Sequence, residues 1–258
     1  MKITFVQHSC FMVELEQCIL IFDWFDATTV KECSFHGELP EFSNNKKIYV
    51  FASHKHKDHF DLKSLRWIEK FDDITYILSK DIRLSDHYLI RHEIPLKAKE
   101  RVLFVKPWQD YEIDDLQIHT LNSTDAGVAF YVKVNETSFY HAGDLNNWFV
   151  EEDPDKDKMR TSYESEISYL KDKNITASFI VLDPRLKKHA LDGINYFYQN
   201  IKSDYIFPMH MWRDYSYILT LKERIFSLTQ EETAGKKIRL NQIENIVDIR
   251  FENQEFLI

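Results

Sequence analysis

Glycine is scarce in this chain, with five among 258 residues. Each one therefore marks a place worth inspecting, because glycine alone enters left-handed backbone conformations at no steric cost. Cysteine is scarcer still. Cys10, Cys18 and Cys33 form an odd set without metal-site spacing. They argue against a disulfide framework and fit buried structural thiols in a reducing, cytoplasmic setting. No apolar run reaches the roughly eighteen residues of a membrane span. The opening Met1-Lys2-Ile3-Thr4-Phe5 enters a strand pattern directly, without the apolar segment and cleavage site of a signal peptide. Positive charge is also short, and the formal net charge is −9. A general nucleic-acid binder needs a basic stripe to displace counterions, and none is present. A small anionic substrate held by a local pair of cations remains compatible. With 44% hydrophobic residues and no Pro/Gly/Ser-rich linker, one domain over residues 1–258 is expected.

Histidine and aspartate, by contrast, are concentrated. Ser53-His54-Lys55-His56-Lys57-Asp58-His59-Phe60 packs three histidines and an aspartate into six positions. It follows the apolar run Ile48-Tyr49-Val50-Phe51-Ala52, which reads as a buried strand. Ligand-type residues thus stand where a rigid strand gives way to a loop, a common place for function. On an extended chain His54 and His56 project to one side, whereas Asp58 and His59 follow after a turn. One short segment would then serve two adjacent metal ions. Lys55 and Lys57 alternate with these residues and are expected in solvent or against an anionic substrate.

Around the cluster the pattern is mixed. Strands are expected at 3–6, 11–15 and 18–23, then a loop over 24–46. Asp61 caps a helix carrying Leu62, Leu65 and Ile68 on one face. A strand at 74–78, a helix at 81–93 stopped by Pro95, and a strand at 102–105 follow. Strands at 111–121, 127–134 and 138–140 lead to His141-Ala142-Gly143-Asp144. A charged loop over 151–159 precedes a helix near 160–173 with Tyr163, Ile167 and Leu170 inward. The strand 178–182 closes on Asp183-Pro184-Arg185, a helix runs through Leu191 to Ile201, and the strand 205–207 ends at Pro208-Met209-His210. A last helix carries Ile218, Leu221, Ile225 and Leu228, and the tail from about 237 reads as short strands. Both halves hold a hairpin running into a strand-terminal aspartate, Asp23 in one and Asp144 in the other. Asp23 is read either as a loop cap or as a support for a metal site.

His54-x-His56-x-Asp58-His59, the later Gly143-Asp144 and the still later Pro208-Met209-His210, each at a strand end, resemble the metallo-β-lactamase superfamily. The resemblance covers nearly the whole chain. The segments His8-Ser9-Cys10-Phe11 and Ile21-Phe22-Asp23 look like its Zn-dependent hydrolase branch, which includes ascorbate-phosphate lactonase-like proteins. It implies an α/β fold, an αβ/βα sandwich of two mixed sheets with helices outside and metals at one edge. It also implies that His54 and His56 hold one metal, that Asp58, His59 and His210 hold a second, and that Asp144 bridges them. Neutral imidazole and carboxylate suit zinc, with manganese or iron as alternatives. One departure stands out. The family expects a further histidine before the central glycine, and Ser123 of Asn122-Ser123-Thr124-Asp125-Ala126-Gly127 occupies that position. Asp125 substitutes as the ligand, or water completes the shell, or the first site is weak and a single ion binds at the second. The second site is expected to be the tighter one.

The function implied is a metal-dependent hydrolase of a small, anionic substrate, in which a metal-activated hydroxide attacks while Asp58 or Asp144 orients it and accepts its proton. Arg185 either pairs with a substrate carboxylate or phosphate or sits in a turn shaped by Pro184. Trp148 and Trp212 either wall the pocket or fill the core. His119 and His141 are read as strand residues with structural hydrogen bonds. Rival readings are a phosphodiesterase or nuclease of the same fold, disfavoured by charge, and a non-catalytic metal-binding scaffold. A di-iron electron-transfer protein is disfavoured because no flavin domain follows. Small molecules are the expected partners, with neither nucleic acid nor membrane.

Overall fold

The computed structural model of the protein describes residues 1–42, 45–149, 154–232 and 244–258. Two mixed sheets dominate it. The first has seven strands, β1 (Lys2–Gln7), β2 (Cys10–Glu14), β3 (Cys18–Phe22), β4 (Lys47–Ala52), β5 (Ile74–Ser79), β6 (Val102–Val105) and β13 (Gln254–Leu257). Their spatial order is β13-β1-β2-β3-β4-β5-β6, antiparallel as far as β3 and parallel from β3 to β6. The second has six strands, β7 (Asp110–Ile113), β8 (Leu116–Asn122), β9 (Val128–Val134), β10 (Thr137–His141), β11 (Asn174–Val181) and β12 (Lys202–Met209). Antiparallel pairing holds from β7 to β10, and β11 and β12 then add in parallel.

The period-two alternation of the strands decides the layers. In β2, β3 and β4, Phe11, Val13, Leu20, Phe22, Tyr49 and Phe51 enter the core between the sheets. Met12, Ile19, Ile21, Ile48 and Val50 enter a second core on the opposite face, beneath Leu65, Ile68 and Leu89. Across the first core, Phe11 lies 4.3 Å from Phe179 and Phe51 lies 5.2 Å from Phe130, ring centre to ring centre. On the outer face of the second sheet, Tyr163 and Ile167 of α2 (Lys156–Ser168), Phe197 of α3 (Asp192–Asn200) and Leu221 of α4 (Tyr217–Glu232) continue the buried surface. The chain is thus the expected α/β sandwich, with helical segments outside both sheets.

Several local expectations are corrected. The Asp61-capped segment is a 3-10 helix over Leu62–Glu69. Leu62, Leu65 and Ile68 recur every third residue, which is the 3-10 period. The expected helix over 81–93 shrinks to α1 (Asp86–Arg91), capped by Ser85, and a second 3-10 helix, Leu96–Arg101, starts directly after Pro95. The expected strand over 111–121 is a hairpin instead, β7 and β8, turning at Asp114 with φ 52°. No glycine marks that turn; an aspartate takes the left-handed position. Helix α2 begins at Lys156, earlier than 160; its opening Lys156, Asp157 and Lys158 carry no apolar period that would announce it. Strand β12 runs through Pro208 to Met209. It is an edge strand, where a missing N–H is tolerated. Residues 43–44 of the first loop, 150–153 of the second and 233–243 of the tail lie outside the described residues.

Candidate metal centre

The C-terminal ends of β3, β4, β10, β11 and β12 and the β1–β2 turn meet at one edge of the sandwich. Strand β4 stops at Ala52, so the histidine cluster lies in a bend rather than on extended chain. His59 and Phe60 donate their backbone N–H to His56 O at 3.0 and 2.9 Å, which folds Asp58 and His59 back beneath the segment. His54 and His56 still converge, with His54 Nε2 2.9 Å from His56 Nδ1. Two glycines permit this bend. A Cβ on Gly127, at φ +70°, would lie 2.0 Å from Ser53 O. A Cβ on Gly143, at φ +52°, would lie 2.6 Å from Ser53 Cβ.

The potential ligand atoms fall into two groups, each with all its atoms within 4.8 Å of one another. One comprises His54, His56, Asp125 and Asp144; the other comprises His8, Asp58, His59 and His210. Asp144 touches both, with Oδ2 3.3 Å from His54 Nε2 and Oδ1 3.1 Å from His59 Nε2 and 3.4 Å from His210 Nε2. Asp58 Oδ2 lies 3.8 Å from both His59 Nε2 and His210 Nε2. Ser123, at the position where a histidine was expected, uses its hydroxyl locally. Its Oγ accepts the Asp125 N–H at 3.2 Å. That turn presents the half-exposed Asp125 carboxylate to His56 Nδ1 at 3.8 Å.

Buried carboxylates set the histidine tautomers. Asp23 Oδ2 accepts from His59 Nδ1 at 2.7 Å, and its two oxygens also accept the Ser53 N–H and O–H at 2.7 and 2.6 Å. Of its two sequence readings, support for the site is the one with geometry behind it. Asp183 plays the matching part for His210, accepting from Nδ1 at 3.0 Å. With both Nδ1 atoms committed, His59 and His210 turn Nε2 toward Asp144. His59 Nε2, His210 Nε2 and Asp144 Oδ1 are all buried without a hydrogen-bond partner among the described residues. Imidazole nitrogens and a carboxylate oxygen converging in this way fit a cation, which binds once the imidazoles are deprotonated.

Charge follows the same pattern. Burial penalises a charged His59, yet Asp144 and Asp23 outweigh it and hold its pKa well above the usual 6.5. Burial likewise favours a neutral Asp144, while His59, His210 and His54 hold it well below the carboxylate range. Asp58 is held low against its burial by His8 and His59. Burial, with His210 beside it, pushes His8 down to about 3. His8 is therefore neutral.

Arg185 spends one edge on Asp183, with Nε 2.9 Å from Oδ1 and 3.0 Å from Oδ2, and its guanidinium lies 4.2 Å over the Trp212 ring. It lines, with Lys57, Asp125, Asp144, Trp148 and Trp212, an open cavity of about 590 Å³. The two tryptophans are thus wall residues, and Trp148 Nε1 anchors on Asp144 O at 2.8 Å. Lys55 is exposed and does not line the cavity. His119 and His141 stay outside both groups. His119 bonds Asp110 at 2.7 Å, and His141 donates to Ser9 O at 2.8 Å. Sequence reasoning assigned no role to His8 or to the Asp183 carboxylate. The signal for Asp183 was available, since it ends a buried strand as Asp23 does.

A family model described as the beta-lactamase superfamily domain matches residues 2–159. No curated protein matches the sequence. Igni18, a metallo hydrolase from the archaeon Ignicoccus hospitalis KIN4/I, aligns with TM-score 0.61 and 14% identity over 100% of this chain and 98% of its own. An isothiocyanate hydrolase from Delia radicum gut bacteria aligns with TM-score 0.54 and 14% identity over 100% of this chain and 99% of its own. At such identities the likeness speaks for the fold. Together with the family match over most of the chain, it makes this protein a member of the metallo-β-lactamase superfamily.

Proposed function

We propose that the protein is a metal-dependent hydrolase of a small anionic substrate, with Asp144 shared between two adjacent cation sites. The carrying observation is the pair of donor groups that meet at Asp144 at the mouth of an open cavity. His54, His56 and Asp125 would hold one ion with Asp144, and Asp58, His59 and His210 the other. Mixed imidazole and carboxylate donors suit zinc, and also manganese or iron. Bound divalent metal would polarise a substrate oxygen and lower the pKa of its water. The chain supplies the rest. Asp58 and Asp144 are held as carboxylates, and Asp58 or Asp144 would orient an attacking water and accept its proton. Lys57 and the free edge of Arg185 offer positive charge to an anion in the cavity, and Trp148 and Trp212 narrow it. The narrower likeness to lactonase-like proteins rests on the segments His8–Phe11 and Ile21–Asp23 alone.

The test joins metal analysis to a hydrolysis panel of lactones, thioesters and phosphodiesters. The purified protein is expected to carry metal and to hydrolyse at least one class. His56→Ala should lower that activity by at least about tenfold. Undiminished activity in the variant would remove the His54–His56 half from the mechanism. Turnover of phosphodiesters alone would favour the phosphodiesterase reading.

A further inference from the structure

His8 belongs to a two-residue connection between β1 and β2, which end and begin at Gln7 and Cys10. Its φ is +47°. For a residue with a Cβ this left-handed conformation costs roughly 1–2 kcal/mol, and glycine would adopt it freely. His210 is left-handed too, at φ +65°, and its N–H bonds His8 O at 3.1 Å. The two strained residues hold each other, and their rings lie 4.1 Å apart. Phe35 at 5.1 Å and Trp212 at 4.7 Å complete an aromatic enclosure around the imidazole. Gln7 pins the loop that carries Phe35, donating to Phe25 O at 2.9 Å and accepting from Gly37 N at 3.1 Å.

The imidazole within this enclosure has one polar neighbour, the Asp58 carboxylate, and no well-formed hydrogen bond among the described residues. Its side chain is fully buried, and neither Nδ1 nor Nε2 makes a hydrogen bond among the described residues. An unsatisfied buried polar group costs about 1–3 kcal/mol. Nε2 lies 3.3 Å from Asp58 Oδ2, inside the group formed with His59 and His210. A water molecule makes at most about four hydrogen bonds. It cannot satisfy three imidazole nitrogens and the Asp58 and Asp144 oxygens at once, whereas one cation can. We infer that His8 Nε2 is a ligand of the ion held by Asp58, His59, His210 and Asp144. The inference rests on the metal reading proposed above and extends it. The chain lacks a histidine at position 123 and places one at position 8, so the donor balance of the centre shifts. Three imidazoles and two carboxylates serve this ion; two imidazoles and two carboxylates serve the other. A donor set richer in nitrogen and more deeply buried makes this the tighter zinc site.

The test uses zinc alone, titrated into the metal-stripped protein against a chromophoric chelator. X-ray absorption then counts the imidazoles per bound zinc. Two variants guard against misfolding: His8→Phe fills the aromatic enclosure, and His8→Asn tolerates the left-handed backbone. Wild type should bind zinc in two classes. Both variants should weaken the tighter class by at least about tenfold and lower the imidazole count, while His56→Ala weakens the other class. Metal-free His8→Phe should melt no lower than metal-free wild type, a result that a purely structural histidine would not give. Two zinc classes of wild-type affinity and an unchanged imidazole count in both variants would overturn the inference and leave the metal reading standing. Wild-type protein that binds no zinc would sink both.

Discussion

At the scale of single residues, the centre depends on side chains that would touch no metal. Asp23 and Asp183 each end a buried strand, and each takes the Nδ1–H of one histidine. That bond selects the tautomer and aims Nε2 inward. Asp183→Asn keeps the shape and removes the charge. It should weaken zinc binding by roughly 10–100-fold while the far-UV circular dichroism stays unchanged. Chelator competition reads the first quantity, and unaltered affinity would show that His210 needs no such anchor. The same substitution frees Arg185, whose Nε and Nη2 are otherwise committed to Asp183.

At the scale of elements, the bend after β4 is made possible by its neighbours. Val128 donates to Ser53 O at 2.9 Å, so β9 starts directly against the histidine segment. Gly127 makes that approach possible, both through its positive φ and through its missing Cβ. Gly127→Ala combines a left-handed alanine with a clash against backbone oxygen. It should cost at least about 2 kcal/mol, the upper end of the conformational penalty alone. At about 2–4 °C per kcal/mol the melting temperature should fall by at least about 4 °C. Zinc affinity should fall with it, because Ser53 would shift and carry His54 along. Calorimetry and zinc titration check both, and a melting point equal to wild type would mean that the bend has slack.

At the scale of the molecule, donors arrive from both sheets: His8, His54, His56, Asp58 and His59 from the first, Asp125, Asp144 and His210 from the second. A bound ion therefore ties the sheets together at one edge. Mass action stabilises the folded state by about 4 kcal/mol when free metal reaches a thousandfold over Kd. Stripping the metal should lower the melting temperature by several degrees, and adding zinc should restore it. The apolar core between the sheets is independent of the ion, so secondary structure should persist in the stripped protein. A melting point indifferent to both treatments would count against a metal at this edge.

Much of this was legible in the linear chain. His54 to His59 stand within one short loop, and the near-continuous apolar runs of β2 to β4 announce strands buried on both faces. Asp144 and His210 follow apolar strands, so their place at a sheet edge could be inferred singly. Regular segments failed where their signal was weak: the Asp114 turn lacks a glycine, and α2 opens on three charged residues, Lys156, Asp157 and Lys158. The tertiary structure alone decided which distant residues meet. His8 is fifty residues from Asp58 and over two hundred from His210 in sequence, and no local periodicity links them. Their meeting follows from the strand order that brings the β1–β2 turn beside the ends of β4 and β12, and from the two left-handed residues joined there. The ligand chemistry is a property of residue type and is local; the partnership of ligands is a property of sheet order, which long-range pairing sets.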